Sequence, residues 1–199
     1  MKMRKILSLL FALMLVTVFV SNSAMAAGTS MATATSISVN KTYSADTKAG
    51  TYYYRFTLPS SGTVTISVPT LNSQVLSIYN TSNVKLYTKT LKSSSPSATL
   101  STAAKTTLSA GTYTLSYNHS SAGKIKSTIK LGYVSSNESF PDSSSDNSYS
   151  TANSISLNKT YYGFMPINDH TDYYKFKVGK TSSVKLQFST TLKKYRLYI

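Results

Sequence analysis

Apolar and polar residues alternate with a period of two along much of the chain. Residues 54–58 read YRFTL, so every second side chain is large and apolar. The same alternation recurs at residues 64–68 and 113–117, and less regularly at 125–133, where Ser127 interrupts the apolar face. A period of two is typical of strands that bury one face, and no convincing amphipathic helical period follows the N-terminal segment. The alternation therefore predicts an all-β fold.

Turn-forming residues separate these runs at residues 59–62, 80–83, 94–96 and 110–111. The composition agrees, because only 14% of the 199 residues are charged and 16 are Tyr. The chain has no Cys, which excludes disulfide scaffolds, Cys-ligated zinc and thiol nucleophiles. Short strands at this spacing predict an antiparallel β-sandwich in which two sheets bury the alternating positions.

An eight-residue segment occurs twice in the chain. Residues 36–43 read SISVNKTY and residues 154–161 read SISLNKTY, and the match resumes further on, where YYRF at 53–56 corresponds to YYKF at 173–176. The last three residues, 197–199, line up with Leu76-Ser77-Ile78, so copy two has no counterpart of residues 79–133. The repeat predicts a complete first domain over 27–133 (copy one) and a partial second domain over 151–199 (copy two).

The first 26 residues have the features of a signal peptide. Basic residues precede an apolar run over residues 6–20, and Ala24-Met25-Ala26 offers a small-x-small cleavage pattern. We predict cleavage after Ala26 and a secreted protein, extracellular or associated with the cell envelope, without a later membrane span. An uncleaved anchor is the alternative, which the short apolar run disfavours.

Charge is distributed unevenly over a chain whose formal charge is +15. Residues 27–133 contain ten Lys and Arg side chains and one acid, whereas the Ser-rich segment 134–150 contains no basic residue and three acids. The sequence therefore predicts two basic modules joined by an acidic linker over 134–150.

Three motifs carry a family resemblance. Residues 151–158 read TANSISLN, residues 169–176 read DHTDYYKF, and residues 108–115 read LSAGTYTL. In this order and spacing, the motifs resemble the bacterial pre-peptidase C-terminal domain, a family that includes the collagen-binding modules of clostridial collagenases. The resemblance implies a jelly-roll-like β-sandwich that is appended to secreted enzymes, especially peptidases, and is not itself catalytic.

The resemblance also implies a calcium site in copy two. In the collagen-binding relatives, the ligands come from the acidic segment that enters the domain and from an Asp pair before the Tyr-Tyr strand. The corresponding residues here are Asp142, Asp146, Asn147, Asp169 and Asp172. Calcium prefers such oxygen ligands, and a dication would relieve the repulsion between two nearby carboxylates. Copy one has Ala49 and Tyr52 at the positions of the Asp pair, and the alternative for copy two is a set of ordinary solvated loop acids.

Catalytic motifs are not recognisable. His119 and His170 are the only histidines and belong to no metal-binding spacing, and no nucleophile elbow is present. Asp169 and Asp172 could be imagined as a glycosidase pair, but such pairs normally come from separate strands across a cleft. We therefore expect no enzyme active site in this chain.

Ligand binding is predicted on basic and aromatic surfaces. Lysines expected on solvent-facing strand positions could attract polyanions, and two tyrosines in the opposite phase to the core could form an exposed aromatic strip with Tyr52 and Tyr149. These candidate residues are Lys124, Lys126, Lys130, Lys175, Lys177, Tyr53 and Tyr173. The predicted partner is an extracellular polymer: a collagen-like protein, a polysaccharide or a teichoic acid. Lysines that only maintain solubility are the alternative, and nucleic acid is disfavoured by the scarcity of Arg and by export.

Three functions remain open from the sequence. The first is a secreted binding or targeting module that attaches to matrix protein or cell-envelope polymer. The second is an accessory segment of a larger secreted hydrolase, such as a peptidase, and the third is a structural spacer of the cell envelope.

Overall fold

The computed structural model describes residues 23–24, 26–71, 73–95, 97–120, 125–140, 146–167 and 169–199. In chain order the strands are β1 (Ser23–Ala24), β2 (Thr35–Ser36), β3 (Thr42–Thr47), β4 (Gly50–Leu58), β5 (Gly62–Thr70), β6 (Ser73–Tyr79), β7 (Lys85–Lys92), β8 (Ser97–Leu108), β9 (Gly111–His119), β10 (Ile125–Ser135), β11 (Asn153–Ser154) and β12 (Tyr174–Lys175). Among the described residues, no helix has the length and apolar composition needed to cross a bilayer.

Copy one is a sandwich of two five-stranded sheets. Sheet A has the order β1-β3-β10-β5-β8 and sheet B the order β2-β4-β9-β6-β7. In the described part of copy one, all pairings among the long strands are antiparallel, and the two-residue strands β1 and β2 pair in parallel. The predicted all-β sandwich is thus confirmed. Strand β1 precedes the predicted cleavage point, so cleavage after Ala26 would leave β10 as the partner of β3.

The sandwich core is built from the alternating runs. Large side chains from both sheets are almost completely buried, including Tyr54, Phe56, Val64, Ile66, Leu115, Tyr117 and Leu131. Between them, outward residues such as Arg55 and Lys130 remain exposed. Packing of two apolar faces accounts for the period of two in the sequence.

A buried polar cluster explains the irregular strand around Ser127. The Nε2 atom of His119 lies 2.9 Å from the hydroxyl of Thr47, and that hydroxyl also contacts the Ser127 hydroxyl. Nearby, the Gln74 amide donates to the Tyr117 hydroxyl over 2.8 Å. Ser127 therefore interrupts the apolar face because it completes a hydrogen-bonded network between the sheets.

Copy two repeats the local geometry at the start of copy one. The Ser38 amide donates to the Tyr43 hydroxyl over 2.8 Å, and the Ser156 amide donates to the Tyr161 hydroxyl over 2.9 Å. The asparagine inside each of these loops has a left-handed backbone, with φ values of 62° and 59° in Asn40 and Asn158, respectively. Parallel pairing of β11 with β12 matches that of β2 with β4. The sequence repeat is therefore a repeat of backbone structure as well.

The resemblance between the copies ends after Lys175. No strand occurs among the described residues from 176 to 199. Lys175 and Lys177 are exposed, and the large apolar residues around them are exposed as well. The exposed apolar residues of this part of copy two include Tyr174, Phe176, Val178, Val184 and Leu186. In copy one, the equivalent residues lie in β4 and β5, which pair with β8, β9 and β10.

Candidate metal centre in copy two

Three carboxylates converge where the acidic linker enters copy two. One oxygen each of Asp146, Asp169 and Asp172 lies within 4.8 Å of the other two. Asp146 precedes β11, whereas Asp169 and Asp172 belong to the loop before β12. The Tyr173 amide donates to the Asp146 carbonyl over 3.0 Å. This backbone bond brings the linker against the loop and so assembles the cluster.

Asp146 is buried with an incomplete set of partners. It is only 4% exposed, and its Oδ2 atom accepts a hydrogen bond of 3.0 Å from the Asn153 side-chain amide. Among the described residues, neither its Oδ1 atom nor the buried Oε2 atom of Glu138 has a hydrogen-bond partner. A buried oxygen without a partner carries a desolvation cost that a cation could offset.

The pKa of the Asp172 carboxyl is raised by burial and by the other acids of the cluster. Burial raises the pKa of its carboxyl, and the negative charges of Asp169, Asp146 and Glu138 raise it further, whereas a hydrogen bond from Tyr174 lowers it. The resulting pKa is about 6, against an ordinary value of 3.8. Without a cation, the Asp172 carboxyl therefore ionises as the pH rises through about 6 rather than through 3.8.

Asn147 and Thr171 contact the Asp169 carboxylate. With its amide nitrogen turned towards the loop, Asn147 donates to Asp169 Oδ1 over 3.1 Å and to the Thr171 carbonyl. The Thr171 amide also donates to Asp169 Oδ1, over 3.2 Å. In this orientation Asn147 holds the Asp169 carboxylate in place through its amide nitrogen.

The donor set suits a hard dication. Carboxylate oxygens of Asp146, Asp169 and Asp172 are the ligands that Ca²⁺ prefers, and the orphaned oxygen of Asp146 is accounted for if it coordinates a cation. Of the predicted ligands, Asp142 lies outside the described residues. Sequence reasoning did not assign Glu138 to the site, although its position in the only acidic segment of a basic chain was a usable signal.

The candidate ligand residues of copy one lie on opposite faces of the sandwich. Tyr53 is on the outer side of sheet B, since its neighbour Tyr54 points into the core. Lys126 and Lys130 are exposed on the outer side of sheet A, where Lys126 is opposite Asp46. Lys124 lies outside the described residues. The aromatic and basic positions of copy one therefore do not form one surface.

The candidate ligand residues of copy two are close to the carboxylates. Tyr173 makes an edge-to-face contact with Tyr149, whose side chain is 85% exposed, and the two ring centroids are 4.9 Å apart. Lys175 and Lys177 are exposed just after Tyr173. Within the described part of the chain, no ring contact joins this aromatic pair to Tyr53. The end of the linker and the start of copy two thus present an aromatic pair, two lysines and an acidic cluster between residues 146 and 177.

Comparison with known proteins adds two solved structures. No protein-family model matches the chain, and no protein with a curated description matches it. The pre-peptidase C-terminal domain of collagenase from Bacillus anthracis is similar over 49% of this chain and 93% of its own length, with 17% identity and a TM-score of 0.39.

A ruminal endo-beta-1,4-mannanase of family GH26 matches with 18% identity and a TM-score of 0.30. The match covers 52% of this chain and 21% of the mannanase, so the chain spans only a small part of that enzyme. Neither superposition is close enough to indicate a function. The first of these structures is of the family that the three sequence motifs resemble.

Proposed function

We propose that this chain is an exported, non-catalytic binding module that attaches to an extracellular polymer and holds Ca²⁺ in copy two. The observation that carries the proposal is the convergence of Asp146, Asp169 and Asp172, together with the unpartnered buried oxygen of Asp146. Such a cluster is unusual in a chain of net charge +15 and has a direct use as a cation site.

Bound Ca²⁺ would cross-link two segments that are distant in sequence. Asp146 would contribute from the linker, and Asp169 and Asp172 from the loop before β12, with Glu138 as a further carboxylate nearby. The backbone bond from Tyr173 to Asp146 already joins these segments. The ion would therefore stabilise the position of Tyr173 and its contact with Tyr149.

The polymer would be bound through surfaces rather than through an enclosed pocket. The Tyr149–Tyr173 pair offers apolar area with polar edges, which suits collagen-like chains and polysaccharides. The exposed lysines suit acidic groups such as those of teichoic acids. Tyr53 and the sheet A lysines of copy one would provide separate, weaker contacts on its two faces.

Calorimetry on the full exported chain tests the metal site. We expect heat on titration with CaCl₂, and Asp172→Asn should weaken binding by at least about tenfold because it removes a charged ligand. Asp46→Asn is the matched control, since Asp46 lies in copy one and is not part of the cluster. Absence of heat in the wild type, or an equal loss in both variants, would disprove the site.

Retention on immobilised collagen and on purified cell-wall polysaccharide tests the binding surface. Tyr173→Ala should reduce retention several-fold because it removes half of the aromatic pair. Tyr53→Ala should have a smaller effect, and Tyr162→Ala is the control because this exposed tyrosine is outside the aromatic pair. If all three variants bind like the wild type, the aromatic surface is not the binding site.

A further inference from the structure

A short segment of copy two contacts the edge of sheet A in copy one. Strand β8 is the last strand of that sheet and pairs with β5 on one side. On its other side, the Ile167 amide donates a hydrogen bond of 3.1 Å to the Thr107 carbonyl. The Thr107 hydroxyl donates to the Met165 carbonyl over 3.4 Å. These bonds hold residues 163–167 of copy two, which we call the edge segment, against β8.

Side chains of the edge segment add to these hydrogen bonds. Ile167 packs against the apolar core of copy one, and its neighbour Pro166 is buried. An edge strand presents unpaired backbone groups, and proteins commonly cover such an edge with a loop. The edge segment therefore covers part of copy one although it belongs to copy two.

The edge segment also contacts the carboxylate cluster of copy two. A Cβ atom on Gly163 would lie 3.1 Å from the Tyr174 hydroxyl and 3.6 Å from Oδ2 of Asp172, so the start of the segment lies beside the cluster. Near the other end, the Asp169 amide donates to the Pro166 carbonyl over 3.0 Å. One segment of five residues thus contacts both the candidate cation site and sheet A.

The corresponding stretch of copy one is shorter and has a different partner. Eleven residues, 162–172, separate Tyr161 from Tyr173, whereas nine residues, 44–52, separate Tyr43 from Tyr53. In copy one this stretch includes most of β3, which pairs with β10 of the same domain. The two additional residues of copy two therefore occur in the stretch that contacts the other copy.

We propose that the edge segment couples the two copies, so that a cation bound at the Asp cluster stabilises sheet A of copy one. This inference rests on the cation site of the proposed function. Ile167 is two residues before Asp169, so cation binding and docking on β8 require the same loop to be ordered. Whichever event comes first orders the loop for the other, and the two events therefore favour each other. The coupling is reciprocal, so docking on copy one raises the affinity for the cation by the same factor.

Amide hydrogen exchange of the full exported chain tests the coupling. With CaCl₂ at about ten times its dissociation constant, exchange at residues 104–108 of β8 should slow by up to about tenfold, because opening that requires loss of the ion becomes rarer by that factor. Residues 85–92 of β7, the edge strand of sheet B, are the internal control and should not respond to calcium.

Two variants of copy two identify the edge segment as the connection. Ile167→Ser should abolish the effect of calcium on residues 104–108 and lower calcium affinity several-fold, although it alters no carboxylate. Leu157→Ser is the matched control, because Leu157 is an exposed apolar residue of copy two outside the edge segment. This control should behave like the wild type. In metal-free protein, Ile167→Ser alone should speed exchange at residues 104–108.

The outcomes distinguish the coupling from the metal site. Calcium heat in calorimetry without slower exchange at residues 104–108, or an equal effect of both variants, would overturn the coupling and leave the metal site intact. Absence of calcium heat would remove the coupling together with the metal site. Unchanged exchange in metal-free Ile167→Ser would remove the docking on β8 itself, whether or not calcium binds.

Discussion

The loop before the Tyr-Tyr strand is closed in different ways in the two copies. In copy one, the Tyr52 hydroxyl accepts a hydrogen bond from the Lys48 amide and donates one to the Lys48 carbonyl, each over 3.0 Å. In copy two, the position of Tyr52 is taken by Asp172, which is surrounded by other acids. One loop is thus closed by its own side chain, whereas the other has the residues for closure by a cation.

The comparison extends to the segment that packs against the loop. In copy one, the Tyr53 amide donates to the Gly28 carbonyl over 2.8 Å, so Gly28 occupies the place that Asp146 has in copy two. A Cβ atom at Gly28 would overlap the carbonyl oxygen of Thr33. Copy one therefore cannot acquire the third carboxylate by simple substitution. Three positions therefore distinguish a loop with three converging carboxylates from a loop without them.

The two copies are expected to differ most in how much stability they lose when an equivalent phenylalanine is truncated. Phe56→Ala should lower the free energy of unfolding of copy one by about 3–5 kcal/mol because it leaves a cavity between the sheets. The equivalent Phe176→Ala should change stability by no more than about 0.5 kcal/mol, since the side chain is already exposed. Urea unfolding of the full chain measures both. Similar losses in the two variants would show that copy two has a packed core.

The second prediction concerns pH and applies only to copy two. Calcium requires ionised Asp172, so its affinity should be constant well above the pKa of about 6 and fall by up to about tenfold per unit below it. The stability of the metal-free protein should change with pH in the opposite direction to calcium affinity. Because the pKa of Asp172 is raised in the folded loop, the loop loses stability as pH rises between 3.8 and about 6. Calcium titrations at several pH values, in two buffers of different ionisation enthalpy, would detect the proton release. A pH-independent affinity would contradict the assignment of Asp172 as a ligand.

The smallest effect on stability is expected from removal of the Tyr52 hydroxyl, which closes the loop in copy one. Tyr52→Phe removes both hydrogen bonds to Lys48 but keeps the ring stacked on His119, so we expect a loss of about 1 kcal/mol. Tyr53→Phe is the control, because no hydrogen bond of the Tyr53 hydroxyl occurs among the described residues. Thermal unfolding compares the two variants, and equal melting temperatures would show that the hydroxyl does not stabilise the loop.

The sandwich could be predicted from sequence because its strands bury one face each. Residues 54–58 and 113–117 alternate strictly, and both runs became central strands of sheet B. Ser127 could not be interpreted in the same way, because its role depends on Thr47 and His119, which are distant in sequence and meet only in the folded domain. Alternation indicates where strands are, but it contains no information about which strands are neighbours.

The candidate metal centre was predictable only in part, for a related reason. The Asp pair before the Tyr-Tyr strand belongs to a motif with a fixed spacing, so Asp169 and Asp172 could be named. Glu138 belongs to a Ser-rich linker without a motif, and its approach to Asp172 follows from contacts of the folded linker. In one such contact, the Ser139 amide donates to the Tyr162 carbonyl over 2.8 Å.

In both sheets of copy one, a late strand lies between two early strands, because β10 separates β3 from β5 and β9 separates β4 from β6, and this strand order constrains the order of folding. In the ladder between β3 and β10, Ser44 is opposite Thr128, and in the ladder between β4 and β9, Tyr54 is opposite Leu115. Contacts so distant in sequence form slowly, because long loops must close before any ladder is gained. A chain that emerges with its N-terminus first has β3 and β4 without their antiparallel partners until β9 and β10 follow. Copy one therefore cannot complete either sheet during synthesis until almost all of it has emerged.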